Sequence, residues 1–474
     1  IPVQQEIDPK RQWLTLAKVA GYDTAVYGFS GGADPMPAVF THVDPKSGQE
    51  MLVATTGLSH LIRGRLAPKV RWKAFWESVL SDYMPQNPRV DLQWTPLLVP
   101  MYDKDEKLPA DARVKAIEQG IKWYSDSRQL VHPDWIDVYN DRSRFGDTRV
   151  HRPWPARGLP VGDGSLGILE GTANPIYPDG TQAIRWLVRG DDVGEAAMAY
   201  ALHGKLTNDA KSKQIATNLM AYLNDSPLSS GAKSDPTSTV DGMRAWNAST
   251  NTKTFYSDDV ARLQIAQIGV LGALKSDAWD ELMATQILAV FRFTGTNGFW
   301  GEPAYNGTLD NVDWRELHMA TPNPAARSHP HFEAYKLAPL LWLYKQTGHE
   351  PLLNRSKVAL GHMVEALKEG RVRWTNGVQQ ERARLIFPLA WLVRVDDTPE
   401  HREWLKYVVD EVLKNQQPCG SIIEEVGGSG GQYPPPASND AFGTTEAPVI
   451  QENGDPGVDL LYTTNFAFKG LIEA

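Results

Sequence analysis

The stretch ERARLIFPLAWLVRVDDTPEHREWLKYVVDEVLK, residues 381–414, carries the pattern that decides the fold. From Leu385 to Val393 it is apolar on nearly every face, whereas HREWLKYVVDEVLK, residues 401–414, sets its apolar positions among charges. A helix apolar all round belongs inside a protein, and one with a single apolar stripe lies over a core. Only residues 396–398 separate the two, and helices joined by so short a loop are antiparallel neighbours. The segment therefore reads as an inner helix that returns as an outer one.

The same alternation runs along most of the chain. Apolar spacing predicts helices over 111–127, 182–202, 206–224, 256–274, 277–294, 329–346, 350–369, 380–395, 399–415 and 458–472. Connections are short at 203–205, 275–276, 347–349 and 396–398, intermediate at 370–379, and long at 128–181, 225–255, 295–328 and 416–457. Each long or intermediate connection precedes one of the more apolar helices, those starting near 182, 256, 329, 380 and 458. All the long loops then gather at one end of a ring of inner helices. The expected fold is mainly α, an (α/α)6-type toroid of helical hairpins in which five pairs can be placed, with a small N-terminal α/β segment. That segment shows strand-like TAVYGF (24–29), PAVFTHV (37–43) and MLVATTG (51–57), and a helix in PKVRWKAFWESVLSDYM (68–84). The expected division is residues 1–85 and 86–474.

Composition narrows the function. The chain has 474 residues, 42% of them hydrophobic, enough for a substantial core. A net charge of -9 and the lack of a Lys/Arg run argue against nucleic acid as a partner. Cys419 is the one cysteine, which rules out an intrachain disulfide framework and a cysteine-based metal site. No apolar run approaches the roughly 20 residues of a membrane span, and the chain opens at Ile1 without Met or a signal-like segment, so a soluble protein is expected. Sixteen Trp with 33 Pro and 39 Gly point to long, structured, aromatic-lined loops of the kind that bind carbohydrate.

In such a toroid the starts of the inner helices face the pocket. PDGTQAIRWL (178–187) reads as a capping box from Asp179 to Gln182, placed so that Asp179 also lines the pocket. FYSDDVARLQIAQ (255–267) offers Ser257 as N-cap, with Asp258 and Asp259 in the first turn, where the helix dipole favours acids. Asp258 also stands one turn from Arg262 and could simply pair with it. In SHPHFEAYKLAPLLWLY (328–344), Ser328 reads as the cap, and Glu333 shares the inward stripe of Leu337, Leu340 and Tyr344. A buried carboxyl holds its proton more tightly, as a general acid must, with His329 one turn away to orient it. His329, His331 and Glu333 as a metal site would lack a further ligand cluster, so neither metal nor cofactor is expected. Glu381, Arg382 and Arg384 stand at the entrance of the most apolar helix, where they need partners or solvent.

Three further groups come from the long loops. Glu446, Glu452, Asp455, Asp459 and Tyr462 lead into the last inner helix, and loops as long as 427–457 are commonly functional. Trp246, and Trp300 with Glu302 and Tyr305 in GFWGEPAY (298–305), suit sugar stacking.

The stretches YPDGTQAIRWL, FYSDDVARLQ and GTTEAPVIQENGDPGVDLLYTTNF resemble bacterial six-hairpin glycosidase-like enzymes acting on uronic-acid polysaccharides, nearest the β-glucuronidases of glycoside hydrolase family 154, with unsaturated-uronyl hydrolases as cousins. GYDTAVYGF and MLVATTGLSHLIRGRLAPKVRWKAFWESVL resemble the closing part of the glutamine-amidotransferase-like accessory domains of such enzymes, without a nucleophilic Cys. The resemblance implies hydrolysis by paired carboxylates across a glycosidic bond, and the placement of acids at inner-helix starts and in the last long loop sets these roles on Glu333 with Asp258, Asp259 or Glu446. Arg382 or Arg327 would hold a uronate carboxylate, and His329, His331, Glu381, Asp179, Trp246, Trp300, Glu302, Glu452 and Tyr462 would line the site. A polysaccharide lyase would instead rely on His329, His331 or Tyr462, and a glycan-binding protein would keep the Trp residues and tolerate loss of the acids. The partner is then a uronic-acid oligo- or polysaccharide, the setting periplasmic or extracellular, and a homo-oligomer is open.

Overall fold

The computed structural model describes residues 12–16, 36–54, 69–84, 86, 89–93, 101–102, 105–136, 152–153, 160–176, 182–185, 187–249, 252–301, 321–375, 377–418, 420–425, 431 and 460–474. The chain forms two compact units, one of residues 1–112 with 438–440 and one of 113–437 with 441–474.

In the first unit β1 (Gln12–Leu16), β2 (Met36–Val43) and β3 (Glu50–Ala54) form an antiparallel sheet in the order β1-β2-β3. The β2–β3 turn is held by Asp44, whose carboxylate accepts the Lys46 N–H at 3.0 Å and the Ser47 hydroxyl at 2.5 Å. Helix α1 (Lys69–Tyr83) is tied to β2 by a 3.0 Å hydrogen bond between the Tyr83 and Thr41 hydroxyls. TAVYGF lies outside the described residues.

The second unit is the helical toroid. After α2 (Ala112–Asp126) comes a small antiparallel sheet of β4 (Arg152–Pro153), β5 (Gly171–Ile176) and β6 (Gln182–Arg185), in the order β4-β6-β5. Hairpins follow: α3 (Gly190–Thr207) with α4 (Ala210–Asp225), then α5 (Ser257–Leu274) with α6 (Asp280–Arg292). Next, α7 (Pro330–Glu333) and α8 (Leu337–Thr347) return as α9 (Glu350–Lys368), and α10 (Val378–Val395) returns as α11 (Pro399–Leu413). A π-helical turn, Leu460–Asn465, opens α12 (Phe466–Glu473).

Burial separates inner from outer helices as the opening stretch requires. Helix α10 buries nearly every residue from Val378 to Leu392, while α11 buries only His401, Val408 and Val412. Inner neighbours pack in sequence, α3 on α5, α5 on α7 and α8, α8 on α10, α10 on α12, and each outer helix covers its own partner. The short connections are sharp turns. Asn208, Lys275 and Gly348 adopt left-handed φ values of 58°, 55° and 68°, and Asp209 and Thr398 cap the helices that follow by accepting the N–H of Ser212 and His401.

Three boundaries differ from expectation. The segment 182–185 is a strand, and the first inner helix begins at Gly190. QAIR pairs with β5 and β4, whereas the Ala-rich run from Ala196 to Ala201 favours helix. Gln182 therefore cannot reach back to Asp179 as a capping box, and Asp179 itself is outside the described residues. The helix expected over 329–346 is split into α7 and α8, three residues apart in the chain at Ala334–Lys336. Ser257 and Ser328 are not the N-caps, which are Tyr256 and His329. Ser257 instead donates to the Phe332 carbonyl and joins α5 to α7, and Ser328 donates to the Pro324 carbonyl at 2.9 Å.

The turn after α6 sets the position of Trp300. Gly298 there has φ 77°, and a Cβ on it would lie 2.2 Å from the Arg355 carbonyl oxygen of α9. Gly298→Ala should lower folding stability by roughly 1–3 kcal/mol, read as a shifted denaturant midpoint, because both backbone strain and overpacking oppose it.

Candidate active site

The inner helices bring their starts together, and the side chains there are charged and mostly buried. Arg189, just before α3, pairs with Glu170 at 3.0 Å, Asp191 at 2.7 Å and Asp259 at 2.6 Å. Arg262, one turn into α5, pairs with Asp191, with Asp259 at 2.8 Å and with Glu195 at 3.3 Å. Trp246 lies under the Arg189 guanidinium at 5.5 Å and meets Tyr256 edge-on. With Asp192 at 4.0 Å from Arg189, carboxylates outnumber the two cations.

That excess forces the acids apart in charge state. Burial would raise the Asp191 pKa, but Arg262 and Arg189 outweigh it and hold this carboxylate below the ordinary Asp value. Burial, with the charge of Asp191, pushes Asp192 well above it. Burial, then the charges of Asp191 and Asp258, likewise push Asp259 well above it. Ionised and proton-holding carboxyls thus stand side by side, the arrangement that acid–base pairs require. Arg262 pairs with Asp259 and Asp191, not with Asp258 as the helix spacing allowed.

Asp258 occupies the next sector. Its Oδ2 stands 3.5 Å from His331 Nε2 and 3.8 Å from Arg384 Nη1, too far for a hydrogen bond to either. Burial, then the charge of Arg384, keeps the His331 imidazole neutral, its pKa well below the usual value. Arg384 donates to the His331 carbonyl at 2.9 Å. The ring of Tyr462 lies 6.0 Å from that of His331, and burial raises its phenol pKa.

Two buried glutamates organise the backbone beneath. Glu381 accepts the N–H groups of His331 at 2.6 Å and Thr375 at 2.8 Å, and burial pushes its pKa up to about 8. Glu424 accepts the N–H groups of Gln379 at 2.6 Å and Gln380 at 3.1 Å, together with the Thr463 hydroxyl, and burial raises it to about 7. Glu424 therefore caps α10 and ties it to the π-turn before α12. His329 bonds Thr375 Oγ1 at 2.9 Å, away from Glu333, and burial drives its pKa down to about 3.

Several expected site residues are otherwise engaged. Glu333 is buried as expected, but its carboxylate is paired with Lys336 and accepts the Trp300 N–H at 2.9 Å. It acts as a brace for the Gly298 turn. The indole of Trp300 is stacked inside on Phe293, with ring centroids 5.5 Å apart, and is not on a rim. Arg382 pairs with Glu425 at 2.5 Å and approaches Glu411 at 3.9 Å, so a protein carboxylate fills the place suggested for a substrate's. Arg327 is half-buried on a helical turn, Pro324–Arg327. Asp179, Glu302, Glu446 and Glu452 lie outside the described residues. Among the described residues no group of His, Cys, Asp and Glu could hold a metal ion.

Sequence reading missed Arg189, Asp191, Asp192 and Glu424. The signal for the first three was RGDDVGEAA itself, acids ahead of an Ala-rich run, hidden by starting the helix at 182. Glu424 carries no local signal, because the backbone it caps is 45 residues away in the chain.

No family model matches the chain, and no curated protein does. Among solved structures it is similar to the α-1,6-mannanase of glycoside hydrolase family 76 from Salegentibacter sp., at 14% identity over 60% of this chain and 75% of that one, with a TM-score of 0.38. It is similar to the cellobiose 2-epimerase of Spirochaeta thermophila at 13% identity, covering 76% and 84% of the two chains with a TM-score of 0.43. A family 76 glycoside hydrolase from a bovine Bacteroides thetaiotaomicron strain matches at 11% identity over 92% and 85%, with a TM-score of 0.40. Likenesses this distant assign no substrate and no residue role.

Two predictions separate bracing from chemistry. Glu333→Gln leaves Lys336 buried without its counter-charge, so stability should fall by roughly 3–5 kcal/mol while turnover per folded molecule persists. Undiminished stability with abolished turnover would reverse the assignment. The second concerns pH. Glu381 keeps its proton when folded and loses it when unfolded, so its contribution is greatest at acid pH and is lost as pH rises from about 4.5 through about 8. His329 acts oppositely, its contribution lost as pH falls from about 6.5 toward about 3. The melting temperature of the wild type relative to Glu381→Gln should therefore decline between about pH 5 and about pH 8.

Proposed function

We propose that the chain is a glycoside hydrolase that releases a uronic acid residue, β-glucuronosyl or unsaturated uronyl, from an oligo- or polysaccharide outside the cytoplasm. The observation that carries the reading is the pair of consecutive acids opening α5. Asp259 is pushed toward its protonated form, and Asp258 stands beyond hydrogen-bond distance of the neutral His331 and of Arg384. Asp259 is the group suited to protonate a leaving glycosidic oxygen, and Asp258 the one suited to assist water or meet the anomeric carbon. Asp191 and the two arginines fix Asp259 in place, and Trp246 offers an aromatic surface beside it. The uronate part of the reading is supported by the sequence resemblance of residues 177–187, 255–264 and 443–466.

A lyase reading is favoured by one observation. His331 is neutral and stands beside the Asp258 carboxyl, 3.5 Å away, so it can accept a proton. Tyr462, with its pKa raised, is a poor base for that chemistry.

Incubation with nitrophenyl β-glucuronide, nitrophenyl β-glucoside and a uronic-acid polysaccharide tests both. Nitrophenol release from the glucuronide, with no rise in ultraviolet absorbance from the polysaccharide, is expected. Asp258→Asn and Asp259→Asn should each cut kcat by roughly 10²–10⁴-fold. New ultraviolet absorbance without nitrophenol release would make the protein a lyase, and full activity in both Asn variants would remove α5 from the chemistry.

A further inference from the structure

We infer that Arg384 is the residue that seats the substrate's carboxylate, an assignment that rests on the uronate reading above and names the group that reads it. Arg384 is fully buried near the start of α10. One nitrogen, Nη1, is used on the His331 carbonyl and lies 3.8 Å from Asp258. The other two, Nε and Nη2, have no hydrogen-bond partner among the described residues. These are the nitrogens of one edge of the guanidinium, whose N–H bonds run parallel and match the two oxygens of a carboxylate.

The surroundings make that free edge informative. Tyr335, Tyr462 and Phe466 set their rings 5.6, 5.5 and 4.5 Å from the guanidinium carbon. Their faces attract the cation but accept no in-plane N–H bond. A buried guanidinium with two idle donors is unfavourable unless something occupies them. His331 and Gln380, whose side chains interact with each other, offer further polar atoms to the hydroxyls of a sugar. A uronate carboxylate supplies both charge and a two-oxygen fork; the hydroxymethyl of a neutral glycoside supplies one oxygen and no charge. Arg382, engaged by Glu425 at 2.5 Å and approached by Glu411, leaves the task to Arg384.

The test compares wild type with Arg384→Lys and Arg384→Gln, using kinetics on nitrophenyl β-glucuronide and nitrophenyl β-glucoside and calorimetric titration with glucuronate and glucose. The Lys variant keeps a cation among the aromatic rings while removing the fork, so it carries the test if the Gln variant fails to fold. Expected is a rise in KM for the glucuronide of roughly 10- to 100-fold, from the lost charge-assisted bonds, and a loss of the preference for glucuronide over glucoside. Glucuronate binding should weaken in parallel. A folded Lys variant that keeps the wild-type preference for glucuronide overturns the assignment and leaves the hydrolase reading standing. If wild type cleaves no glycoside, that reading falls, and the titration decides alone: glucuronate binding lost in the Lys variant upholds Arg384, and binding that is absent or unchanged overturns it.

Discussion

The open end of the toroid depends on two guanidiniums shared among an excess of carboxylates. Arg189 belongs to the approach to α3 and Arg262 to α5, and both hold Asp191 and Asp259, so the first two inner helices are locked by crossed ion pairs. Without them the acids would repel one another in a poorly hydrated place. The same contacts decide which acids are ionised. Structure and chemistry share one electrostatic arrangement, and the toroid's geometry makes it possible by bringing inner helix starts to one end.

The next sector is built differently. Around α7 and α10 the buried glutamates Glu381 and Glu424 bond backbone N–H groups, not cations. Each satisfies donors that a helix start or a bend would leave idle. Because burial raises the pKa of both carboxyls, to about 8 and about 7, this half of the site responds to pH in that range. Gly377 shows how tight the cap is, since a Cβ there would come within 2.4 Å of the Glu424 carboxyl.

Much of the architecture was legible in the sequence because it depends on local periodicity and loop length. LIFPLAWLV against HREWLKYVVDEVLK gave inside and outside correctly, and the short turns at 275, 348 and 396–398 fell where expected. The site was legible only in part. Asp258, His331 and Glu381 were singled out as residues at helix starts, and His331 does lie beside both of the others. Glu333 was read correctly as inward, but its pairing with Lys336 and its bond to Trp300 depend on how α7 and α8 break, which periodicity does not encode. Asp191 and Asp192 were lost to a strand mistaken for the first turns of a helix.

These differences bear on how an acid can be useful in such a site. Glu333 has the burial a general acid needs, yet a lysine already neutralises it and a backbone N–H already occupies it. Asp259 is held by two arginines, yet burial, together with the charges of Asp191 and Asp258, still favours proton retention. Where α3 and α5 meet, burial raises Asp192 and Asp259 and the neighbouring carboxylates add to that rise.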